Sequence, residues 1–163
     1  MKDGFITGIF GVGVAIITWL LANIRERQSF RREIQKEHVR KIESIYAETI
    51  EALEISIRIT KSLKSYEKIE GTFSKNNAFL RLLSTSEIID QSEKVSYLLH
   101  QWSTLYRRGA PKRVGDTDMA IISSGDSEFS KKAEEVWPQL NDELVALINM
   151  MAKHLSHERK SVF

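Results

Sequence analysis

Three groups of residues in this chain have side-chain types and spacings that chemistry can use. His154, His157 and Glu158 stand at i, i+3 and i+4, so on a helix two imidazoles and a carboxylate share a face, a partial ligand set for a divalent metal. A third firm ligand does not accompany them, and the group reads as a polar, fraying turn. Arg107, Arg108, Lys112 and Arg113 place four cations in seven residues across a Gly-Pro segment. Clustered cations on flexible backbone can grip a phosphate, so an anion, a nucleic-acid complex or a protein partner could bind there, with a solvated cluster as the plainer reading. The third group is Arg32 and His38, six positions apart, with Arg31 in range.

The Arg32–His38 pair resembles the R-x4-6-H pattern of HEPN ribonucleases, whose composite sites join Arg and His from two all-α subunits to cleave RNA. In that family the motif opens a late helix of the bundle; here it lies in an Arg-rich flank, and a solvated basic segment is the plainer reading. No P-loop, no GxGxxG, no Ser/His/Asp ordering and no paired-carboxylate signature is present. The chain has no Cys, which excludes disulfides, Cys-based zinc sites and thiol nucleophiles and fits a reducing compartment. No catalytic residue, metal ligand or cofactor is therefore assigned from sequence.

The elements that must position these groups begin with residues 4–24, which carry no charge. At 1.5 Å per residue such a run matches the ~30 Å hydrocarbon core of a bilayer, so it is expected to form one transmembrane helix. Only Lys2 forms a basic flank before it, the run is longer than a signal-peptide core, and no small-residue cleavage pattern follows; a retained span is expected. Small residues recur at Gly4, Gly8, Gly11, Ala15, Thr18 and Ala22, in steps of four and three. Helices in lipid associate by close backbone approach, so this seam predicts self-association. A ring of such helices could enclose a pore.

Net charge is +2, and its placement matters more than its size. Residues 25–44 hold seven Lys/Arg against four acids, whereas 45–163 hold sixteen against seventeen. Arg25, Arg27, Arg31 and Arg32 directly follow the span and suit anionic lipid headgroups. By the bias of basic flanks toward the cytoplasm, the N-terminus is expected outside and the remainder inside, in the inner membrane. The organisation expected is an anchor at 1–24, a basic helical stalk at 25–44 and a cytoplasmic helical domain at 45–163.

Between Val14 and Glu70 there is neither Gly nor Pro, so the span is expected to continue as one helix with an apolar face through Ile45, Tyr46, Ile50, Leu53 and Ile57. Gly71 is expected to close it. A short helix is predicted over 78–83, and Ser84 with Glu87 reads as a capping box for the next helix. That helix carries Ile88, Val95, Leu98, Leu99, Trp102, Leu105 and Tyr106 on one stripe. Residues 108–126 are expected to be an irregular loop. A last helix over 127–157, kinked or restarted at Pro138, follows with Ala133, Trp137, Leu140, Leu144, Ile148, Met151 and Leu155 inward.

The fold class is thus all-α, about three long helices on an N-terminal span. The order of anchor, stalk helix, FLRLLSTSEIIDQSEKVSYLL and ELVALINMMAKHL resembles small bacterial single-span membrane proteins with a cytoplasmic helical domain. Among these is the membrane accessory protein of type VI-B CRISPR systems. The resemblance implies an oligomeric, pore-like assembly that perturbs the inner membrane in anti-phage defence, without enzymatic activity. A membrane-tethered adaptor that recruits a cytoplasmic protein is the alternative the residues leave open.

Overall fold

The computed structural model describes the backbone of residues 2–66, 70–113, 120–121 and 124–162, and the side chains of 19, 22, 23, 25–66, 71, 73–111 and 125–161. Four helices account for nearly all of it: α1 (Lys2–Lys61), α2 (Glu70–Leu83), α3 (Ser86–Gly109) and α4 (Ser124–Val162). Two two-residue strands, β1 (Lys112–Arg113) and β2 (Ala120–Ile121), pair antiparallel between α3 and α4. The all-α expectation holds, and the expected three long helices are α1, α3 and α4.

From residue 39 onward α1 is the first helix of an up-down-up-down bundle. Its buried positions Val39, Ile42, Tyr46, Thr49, Leu53, Ser56 and Thr60 follow one another in steps of three and four, the repeat that keeps one face against partner helices. Burial thus begins within the segment read from sequence as stalk. Against this face pack Leu98 and Trp102 of α3 and Leu140, Leu147 and Met151 of α4, all at most 4% exposed. Helix α4 runs antiparallel to α1: Glu43 meets Arg159, Tyr46 meets His154, and Lys61 meets Trp137. It runs antiparallel to α3 as well, from Lys94 with Glu143 to Gly109 with Ser130.

Polar side chains are buried among these helices: Thr49, Ser56 and Thr60 of α1, Asn76 of α2 and Ser92 of α3. The three α1 hydroxyls donate to carbonyls one turn back in their own helix, to Ile45, Ala52 and Ser56, so they need nothing from α2. The Asn76 amide is 2% exposed and neither its nitrogen nor its oxygen has a partner.

Four boundaries differ from the sequence reading. Helix α1 stops at Lys61, not at Gly71. Leu63 takes φ 56°, its N–H bonds the Thr60 carbonyl and the Lys64 N–H bonds Ile59, a Schellman closure with Leu at the left-handed position. Gly71 lies inside α2, which starts at Glu70, eight residues before the predicted 78. The N-cap of α3 is Thr85, whose hydroxyl accepts from the Ile88 N–H at 3.5 Å; Ser84 is one position too early for that role. The 108–126 loop is shorter than expected, because α3 reaches Gly109 and α4 begins at Ser124. Pro138 does not restart α4, which is continuous through it; having no N–H, it forgoes the bond to the Glu134 carbonyl.

Residues 2–38 of α1 form helix that projects beyond the bundle, about 55 Å at 1.5 Å per residue. Of the predicted packing seam, Gly4, Gly8, Gly11, Ala15 and Thr18 have side chains outside the described residues, and Ala22 is exposed. Among the described residues, no helix is long and apolar enough to cross a membrane. Most side chains of the uncharged run 4–24 lie outside the described ones.

Candidate functional site

Every side chain from Arg25 to His38 is exposed. Arg25, Arg27, Arg31 and Arg32 therefore stand on an isolated helix with their guanidinium groups free to meet an external anionic surface. The same stretch shows apolar side chains to water: Phe30 and Ile34, one turn apart, are 63% and 52% exposed, and Trp19 is 64% exposed. Local pairs such as Glu37–Lys41, 3.2 Å, sustain the helix without a partner. Arg32 and His38 are both exposed and lie about 120° apart around the helix; Arg31 and His38 share a face but stand about 10 Å apart along it. Within one chain neither pair converges on a substrate.

Where α1 enters the bundle, the end of α4 is fastened to it by a chain of polar contacts. The Tyr46 hydroxyl is 2.7 Å from His154 Nδ1, and His154 Nε2 is 3.6 Å from Glu158 Oε1. One tautomer serves all three: the phenol donates to Nδ1, and Nε2–H faces the carboxylate. Arg159 reaches Glu43 at 2.8 Å beside them. Burial pushes the Tyr46 phenol above its ordinary value, the nearby Ser84 hydroxyl lowers it, and the Glu158 carboxylate raises it again. Ser84 acts on the phenol by proximity; its Oγ is buried without a hydrogen bond of ordinary geometry. A phenol held protonated is a donor and a poor nucleophile, so the arrangement fastens two helices. His154 is turned to Tyr46 and His157 to solvent, and among the described residues no group of three or more ligating side chains converges on a metal position.

At the opposite end of the bundle the expected cation cluster is divided. Arg107 lies over the Tyr66 ring at 4.3 Å and donates to the Lys64 carbonyl, clasping the α1–α2 turn, with its Nε buried and unpaired. Arg108 faces the Phe129 ring at 5.7 Å. The side chains of Lys112 and Arg113 lie outside the described residues. Beside this clasp a cavity of about 360 Å³ opens between the ends of α1 and α3 and the flank of α4. Trp102, Tyr106 and Trp137 form its wall, with Trp102 5.3 Å from Tyr106 and 4.9 Å from Trp137 between ring centres. Lys61, Leu63 and Glu134 line its mouth.

Close packing of α3 on α4 shapes this cavity. A Cβ at Gly109 would lie 2.6 Å from both the N and Oγ of Ser130, and the Ser130 hydroxyl donates to the Gly109 carbonyl. Only glycine lets the two helices approach this closely at their junction. The spacing of Trp102 and Trp137 marks them as core, and nothing in the sequence joins Lys61 or Glu134 to them. The i, i+4 spacing of Trp102 and Tyr106, beside the helix end, was the available signal. No family model, curated protein or solved structure matches this chain.

Proposed function

We propose that this chain is a single-span membrane protein that works as a homo-oligomer and perturbs the inner membrane, with its four-helix bundle on the cytoplasmic side. The observation that carries the reading is the unequal fate of one helix. Residues 39–61 of α1 are packed on three neighbours, while the side chains of 25–38 of the same helix are all exposed and the helix continues into the uncharged run 4–24. An isolated helix of that length and apolarity requires lipid around it, other copies of itself, or both. The seam of Gly4, Gly8, Gly11, Ala15, Thr18 and Ala22 supplies a surface for copies, and Arg25, Arg27, Arg31 and Arg32 supply the headgroup contacts. A role in anti-phage defence rests on the resemblance of layout alone.

The test uses full-length protein in detergent and in liposomes. A discrete large particle and dye leakage are expected, and Gly8→Leu with Gly11→Leu should abolish both. A strict monomer overturns the reading. Tight liposomes together with one stoichiometric protein partner would replace it with a tethered adaptor.

A further inference from the structure

The cavity at the membrane-distal end of the bundle has the chemistry of a cation receptor. Three electron-rich rings meet there, Tyr106 and Trp137 half-buried at its surface and Trp102, 2% exposed, packed against both, each within 5.3 Å of a neighbour. The negative faces of such rings attract a cation that has shed its water. Glu134 lines the same cavity and adds a formal negative charge. Helices α1 and α3 both end at it, through Lys61 with Leu63 and through Gly109 with Ala110, so two negative dipole ends point the same way. An anion would be repelled by all of these but one. That exception is Lys61, and its position is informative: its ammonium sits 4.4 Å over the Trp137 ring. The protein's own flexible, exposed side chain has placed a cation on the ring face.

We propose that this cavity binds a small organic cation with a methylated ammonium head, and that Lys61 is the internal surrogate it displaces. A quaternary ammonium is large, weakly hydrated and without N–H donors, so it loses little on leaving water and asks only for ring faces and nearby negative charge. The cavity, about 360 Å³, is at the small end of ligand sites, which suits such a head and little more. Lys61 is exposed and withdraws to solvent without leaving a buried charge.

Trp102 and Trp137 report on the site, and the remaining tryptophan, Trp19, is on the exposed part of α1. Full-length protein carrying Trp19→Phe, in a detergent without a choline headgroup, is titrated with tetramethylammonium chloride at constant ionic strength. A saturable change in tryptophan emission is expected, with no such change for tert-butanol, its neutral counterpart in shape. Lys61→Ser should tighten binding about two- to fivefold, the worth of one exposed cation–π contact, and Glu134→Gln should weaken it by a similar factor. Free trimethyllysine compared with the same residue in a short peptide then separates a metabolite from a protein side chain as the source. An equal response to tert-butanol, a non-saturating response, or weaker binding after Lys61→Ser overturns the proposal. None of these readouts depends on assembly in the membrane.

Discussion

The two halves of α1 are one uninterrupted helix in two different situations. From Val39 to Thr60 the helix is held by side chains from three other helices, with Ile42 1% and Leu53 2% exposed. From Arg25 to His38 nothing covers it, although Phe30 and Ile34 are as apolar as residues in the core. Helical backbone continuity therefore does not track burial. In the bundle half tertiary packing supplies the stability, while in the exposed half local charge pairs such as Glu37–Lys41 support the helix. Folding thus rests on one half of the helix; the association proposed above would rest on the other.

The sharpest way to break that division is to truncate one apolar side chain in each half. Leu147 is 0% exposed at the centre of the bundle, so Leu147→Ala should cost about 3–5 kcal/mol, the transfer loss plus the cavity it leaves. Ile34→Ala should change bundle stability by less than about 0.5 kcal/mol, because the side chain is half in water already. Thermal unfolding followed by circular dichroism measures both. Comparable losses would show that the proximal half belongs to the folding unit.

The second contrast concerns charge. Stepping by seven from Gly4 along α1 passes Gly11, Thr18, Arg25, Arg32, Val39, Tyr46, Leu53 and Thr60, a stripe that drifts by about 20° per step around a straight helix and is small, then basic, then core. Copies packed through the small section would bring Arg25 and Arg32 toward their counterparts, where anionic headgroups can neutralise them. Arg25→Gln with Arg32→Gln should weaken association with anionic vesicles by about 2 kcal/mol, at ~1 kcal/mol per charge, and leave zwitterionic vesicles unaffected. Flotation assays at two salt concentrations give the number.

The clasp between the two halves makes a smaller prediction with a pH signature. Tyr46→Phe removes the donor to His154 and should cost about 1 kcal/mol. Because the folded-state pKa of Tyr46 lies above its ordinary value of 10.0, the protonated phenol contributes stability that is whole below pH 10 and is lost as pH rises through the folded value. Wild-type protein should therefore weaken above pH 10 more steeply than Tyr46→Phe.

How far the sequence disclosed all this depended on the kind of signal. Periodicity gave the inner faces: Val95, Leu98 and Trp102 on α3 and Leu140 and Met151 on α4 are buried as their spacing implies. Composition gave the basic flank. The cavity and the Tyr46–His154–Glu158 chain were not legible, since each joins residues from helices far apart in sequence, and no local spacing encodes their meeting. The end of α1 departs from expectation because no glycine marks it: Leu63 closes the helix, and Gly71 lies inside α2.

Residues 63 and 71 show that departure as a physical exchange, and they carry the smallest prediction. Leu63 occupies a left-handed position that strains any residue with a Cβ by about 1–2 kcal/mol, while Gly71 sits within α2 with nothing within 4 Å of an added Cβ. Leu63→Gly removes the strain but frees the unfolded chain and gives up the packing of a side chain 48% exposed, so a net gain of about 0.5 kcal/mol is expected. Leu63→Ala keeps the strain and loses the packing, and should destabilise. Gly71→Ala restricts the unfolded chain and favours helix, for a further gain of about 0.5 kcal/mol. The two gains should add in the double variant, because Leu63 lies in the turn that closes α1 and Gly71 in the first turn of α2, each acting on its own backbone. A gain from Leu63→Gly that Leu63→Ala reproduced would mean that the closure of α1 does not depend on the left-handed residue, and that the end of the packed half is set by the Arg107 clasp on Lys64 instead.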